Sequence, residues 1–144
     1  MQYESSVEVE SEKIPGVRFV VERMSFGRRV ELIGQLKTYL GRLGFVSAAP
    51  PGPEREAEAA LLSGEIDRIY LRWGLRGLSG LIIDGEAVTP ESLIEKGPEA
   101  LVDEILRAIW REAGLSEAER KNSGSPSISF EQTRPDGSAT PAAV

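Results

Sequence analysis

Neither cysteine nor histidine occurs in the 144 residues. Lack of cysteine excludes disulfides, thiolate nucleophiles and thiolate metal sites, and lack of histidine removes the commonest general base and metal ligand. Chemistry is left with isolated carboxylates and hydroxyls, so the sequence predicts a protein that is not an enzyme and holds no metal or cofactor. Aromatic residues make up 6% of the chain, and no apolar run approaches the roughly 18 residues of a membrane span. The first 16 residues, MQYESSVEVESEKIPG, have neither the basic start nor the apolar segment of a secretory signal, which places the expected site of action in the cytoplasm.

What is present is 40% apolar and 28% charged, the balance of a single water-soluble domain of ordinary size. The net charge of −6 argues against nonspecific nucleic-acid binding and is unevenly spread. Residues 1–16 carry four Glu against one Lys, residues 17–44 carry six basic against two acidic side chains, and residues 79–100 carry five acidic against one basic. Solvated faces of differing sign explain these blocks most simply. Head-to-tail pairing of subunits or partners is the functional alternative.

Three zones follow: a mobile acidic arm (1–16), one globular helical domain (17–122), and a disordered tail rich in Ser, Pro and Gly (123–144). The tail's Ile128-Ser129-Phe130 is its one candidate for adding to a sheet edge. Within the domain, alternation from Val17 to Arg23 predicts a short strand. Ser25 caps a basic amphipathic helix from Phe26 to Leu43, whose apolar stripe of Phe26, Val30, Ile33 and Leu40 is widened by Leu32, Leu36 and Leu43. GFVSAAPPGP, ending at Pro53, breaks the pattern, and a second helix is expected from Glu54 to Leu78. Asp84-Gly85 predicts a tight hairpin between Leu81–Ile83 and Glu86–Val88. Thr89-Pro90-Glu91 starts a short helix, Gly97-Pro98-Glu99 restarts another through Ala113, and Ser116 with Glu119 has the spacing of a capping box for a last turn. The expected fold is therefore mainly α, with minor β: four to five helices, a short N-terminal strand and a small hairpin, the strand pairing with that hairpin.

Several residues bear on function. If the helix runs to Leu78, Leu62, Ile66, Ile69, Tyr70, Trp73 and Gly77 line one face and Leu71, Leu75 and Leu78 the opposite one, which a partner would cover. Trp110 sits at the edge of the last helix's apolar face, as core rim or partner anchor. Leu71, Leu75, Leu78 and Trp110 are thus the candidate partner-binding residues. Arg68, Arg72 and Arg76 form a row able to meet phosphates, although Glu65 and Asp67 lie beside it. Asp84 and Glu86 could suggest a carboxylate pair, but a hairpin turn accounts for them.

The order of Trp73-Gly74-Leu75, Ile83-Asp84-Gly85-Glu86, Thr89-Pro90-Glu91, Gly97-Pro98-Glu99 and a final amphipathic helix resembles the tail assembly chaperones of long-tailed bacteriophages and prophages. The resemblance spans residues 17–122. It implies a cytoplasmic helical protein that binds the tape measure protein and tail tube subunits during assembly, while the residues themselves exclude a membrane partner, count against nucleic acid and leave self-association open. It also implies that a longer frameshifted product can exist. Lys121-Asn122 is the expected slip site, because AAA-AAC codons encode this pair; other codons there, with no overlapping frame, would remove the idea. The competing readings are a tail or connector component retained in the virion, and a small DNA-binding regulator acting through Arg68, Arg72 and Arg76.

Overall fold

The computed structural model describes residues 1–114, so the expected tail, the Ser116–Glu119 capping box, Ile128-Ser129-Phe130 and the Lys121-Asn122 slip site lie outside the described residues. In order, the elements are β1 (Ser6–Glu10), β2 (Arg18–Glu22), α1 (Phe26–Ser47), α2 (Pro53–Gly74), β3 (Leu75–Ser79), β4 (Ile82–Ile83), β5 (Glu86–Ala87), α3 (Pro90–Lys96) and α4 (Glu99–Glu112). The fold is mainly α with minor β, as the sequence predicts.

The strand expected from Val17 forms as β2, but at the centre of a sheet ordered β1-β2-β3 with both pairs antiparallel. Its neighbours are not the hairpin, whose strands pair with each other in register Ile82 with Ala87 and Ile83 with Glu86. Asp84 (φ 52°) and Gly85 (φ 83°) take the left-handed backbone that a two-residue turn of this kind requires.

The N-terminal arm departs from expectation. Residues 6–10 pair along β2, with Val9 opposite Phe19 and Val7 opposite Val21, so the arm is a sheet edge. Buried Ser11 then ties it to α4: its hydroxyl donates to Glu104 Oε1 at 2.7 Å, and the Glu12 amide donates to Glu104 Oε2 at 2.7 Å. Ser11 Oγ also accepts from the amides of Lys13 and Ile14. Backbone pairing and this latch supply what the arm's two valines could not supply by burial alone.

The second helix also ends earlier than expected, at Gly74. Leu75 turns to extended backbone (φ −90°, ψ 113°), and β3 aligns Leu78 with Phe19, Gly77 with Val20 and, past a bulge, Leu75 with Val21. Gly74 permits the close approach of α4, because a Cβ there would stand 2.7 Å from Ile109 Cγ2. Leu71, Leu75 and Leu78 have helical spacing in the sequence, yet the last two belong to a strand.

The core sits where sheet and helices meet. Val17, Phe19 and Val21 are fully buried, as are Leu101, Ile105 and Ile109 of α4, and Ile66, Tyr70 and Trp73 of α2 join the same cluster. Thr89 caps α3 through a capping box with Ser92, and Leu93 fills the space beneath. From this body α1 and α2 project as a helical hairpin joined at residues 48–52.

Candidate partner-binding surface

The four partner-binding residues expected from the sequence do not form an outer surface. Leu71, Leu75 and Trp110 are buried, and Leu78 is partly buried against the core. Trp110 meets Tyr70 edge-on, with ring centroids 6.2 Å apart and planes at 89°. Once the chain leaves the helix at Gly74, the supposed second apolar face of α2 becomes a strand facing the protein's own core.

The arginine row is likewise dissolved. Arg68 pairs with Glu95 at 3.1 Å, Arg72 with Glu91 at 3.2 Å, and Arg76, now on β3, with Glu22 at 3.2 Å. Each cation meets a carboxylate of another element, which leaves no phosphate-reading stripe. Asp84 pairs with Lys96 at 3.4 Å, and among the described residues no cluster of three potential metal ligands exists. Among the same residues no helix is long and apolar enough to cross a membrane.

The root of the hairpin is locked by Arg28 and Trp73. The Trp73 indole donates to the Arg28 carbonyl at 3.1 Å, the Arg28 guanidinium lies 4.7 Å from the centre of the Trp73 ring, and Arg28 Nη2 donates to the Trp73 carbonyl. Glu31 accepts from Arg28 at 2.7 Å. Such a stacked, hydrogen-bonded cation holds the start of α1 against the end of α2.

With that anchor in place, α1 buries Leu32 and Leu36, with Tyr39, Leu40 and Leu43 partly covered. Phe26, Val30 and Ile33, expected on the core stripe, instead face outward: Phe26 is 86% exposed, and the other two are more than half exposed. A second exposed apolar group lies at the hairpin tip. Phe45 (81% exposed) and Leu61, with Val46, Ala49, Ala57 and Pro50, line an open cleft of about 920 Å³. The periodicity alone could not separate these residues from the core side, because a broad apolar stripe on a long helix contains both. Their signal was the sheer breadth of the stripe.

Compared with known proteins, the chain matches no family model, no curated sequence and no solved structure.

What this surface can do is bind another protein. It presents large apolar side chains on a helical hairpin, and among the described residues no group of three potential metal ligands exists.

Proposed function

We propose that this chain is a non-enzymatic tail assembly chaperone of a long-tailed bacteriophage or prophage, acting in the host bacterial cytoplasm. It binds the tape measure protein and tail tube subunits while the tail is built. The observation that carries the binding role is the outward apolar series Phe26, Val30 and Ile33 on α1, continued at the tip by Phe45 and Leu61. A monomeric body with a filled core has no internal use for these residues. The tail-assembly assignment itself rests on the resemblance in residues 17–122, where Trp73-Gly74, Asp84-Gly85, Thr89-Pro90 and Gly97-Pro98 stand at element boundaries in the folded chain.

The ion-paired arginines disfavour the DNA-binding alternative. A component retained in the virion differs from a chaperone in one observable, its presence in purified particles.

The test is co-expression of the full chain with the tape measure and tail tube proteins of the same phage or prophage, followed by affinity purification. Recovery of the tape measure protein or the tube subunit is expected, with at least about a tenfold loss for the double variant Phe26→Glu, Ile33→Glu. Recovery of neither protein, from lysates that contain both, overturns the reading.

A further inference from the structure

Two exposed faces of the hairpin differ in shape and sign. At 100° per residue, Phe26, Val30, Ile33 and Lys37 fall within about 60° of one another around α1, and Arg29 borders them. Over residues 26–40 the charged side chains are Arg28, Arg29, Lys37 and one acid, Glu31, which Arg28 already holds. This face is bulky and basic.

On α2 the exposed residues Ala57, Leu61 and Gly64 likewise fall within about 60°, and Glu54, Glu58 and Glu65 flank them on one side. Nothing lies within 4 Å of where a Cβ on Gly64 would stand. Over residues 53–61 the charges are Glu54, Glu56 and Glu58 against Arg55, which also lines the tip cleft. This face is shallow and acidic.

We propose that a second copy of this chain covers these faces, with α1 of each copy lying along the first three turns of its neighbour's α2. The root of one hairpin then meets the tip of the other, and the contact is made twice about a two-fold axis. Phe26, Val30 and Ile33 fill the relief left by Ala57 and Gly64, while Arg29 and Lys37 approach Glu54, Glu58 and Glu65. The two like-with-like arrangements bring Arg29 and Lys37, or the three glutamates, against their own copies, and such contacts are repulsive. Helices of 22 residues, about 33 Å long, leave room for two such three-turn contacts side by side along the paired hairpins. The pairing does not rest on the tail-assembly reading, since it concerns the purified chain alone; because it uses the same Phe26, Val30 and Ile33, self-pairing and the partner binding proposed above compete for one face.

Light scattering on the eluting full chain, over a concentration series, tests it. The expected mass is twice 15.7 kDa. Arg29→Glu with Lys37→Glu, and separately Glu54→Lys with Glu58→Lys, should each weaken association at least about tenfold. An equimolar mixture of the two reversed chains should regain the dimer, because each reversed face then meets its opposite. Circular dichroism melts show that each variant is folded before it is read. A wild-type chain of single mass throughout the series overturns the proposal, as do reversed chains that remain dimeric or a mixture that stays monomeric.

Discussion

The two ends of this molecule obey different rules. In α4, six of the 14 residues are buried, and the body around them closes on a filled core. Along the hairpin no residue between Leu36 and Leu62 is buried, although Phe45, Val46, Leu61 and five prolines and alanines of the cleft are apolar. Buried apolar side chains are therefore concentrated in the body, and exposed ones along the hairpin. An apolar side chain in the first is held by its own chain, whereas in the second it stands exposed, as the proposed partner binding requires.

Truncation sharpens this contrast most. Ile109→Ala in α4 should destabilise the fold by about 2–5 kcal/mol, since a fully buried branched side chain leaves a cavity beside Gly74. Chemical denaturation reads the change as a lower midpoint at unaltered slope. A loss below about 1 kcal/mol would mean that the body is not the packed half.

Next in size is Gly80→Ala. Gly80 has φ 88°, and a Cβ there would stand 2.1 Å from the Gly16 carbonyl oxygen, so the turn after β3 must shift away from the turn before β2. Strain of this kind costs about 1–3 kcal/mol, seen as a lower Tm. An unchanged Tm would show that the two turns are not in contact.

Loss of the α3 cap is smaller. Thr89→Ala removes the hydroxyl that accepts from the Ser92 amide at 3.1 Å and should cost about 1 kcal/mol in the same denaturation measurement. Thr89→Ser should retain most of it.

The smallest effect on stability belongs to the tip. Phe45→Ser removes a large apolar residue that is 81% exposed, and should change unfolding free energy by less than about 0.5 kcal/mol. Amide hydrogen exchange should in turn find residues 40–60 opening at lower free energy than α4. Equal protection of the two regions would erase the distinction between them.

Local chemistry was readable wherever one residue type answers a local need. Ser25 caps α1, and its side chain accepts from the Arg28 amide at 3.3 Å; Asp84-Gly85 makes the hairpin turn; Pro53 opens α2; Thr89 and Pro90 open α3. Each signal works within a few residues, where backbone dihedrals and unsatisfied amides decide the outcome. The mainly α class followed from the same signals.

Partnerships across the chain were not readable. Nothing in SVEVE says that it has β2 as a neighbour, and the Ser11–Glu104 latch joins residues 93 positions apart. Leu71, Leu75 and Leu78 satisfy a helical period until β2 offers a ladder of backbone hydrogen bonds and α4 closes over Gly74. That competition between periods of 3.6 and 2 over five residues has no local winner. The same limit misplaced the candidate surface, since the exposed side of an amphipathic helix depends on what packs against it. Short-range sterics and hydrogen bonding let the sequence alone specify the caps, the turns and the types of β2, α1, α3 and α4, but not β1 or β3. Tertiary structure alone decided that Leu71, Leu75, Leu78 and Trp110 face the core while Phe26, Val30 and Ile33 face out, because burial depends on which distant elements meet.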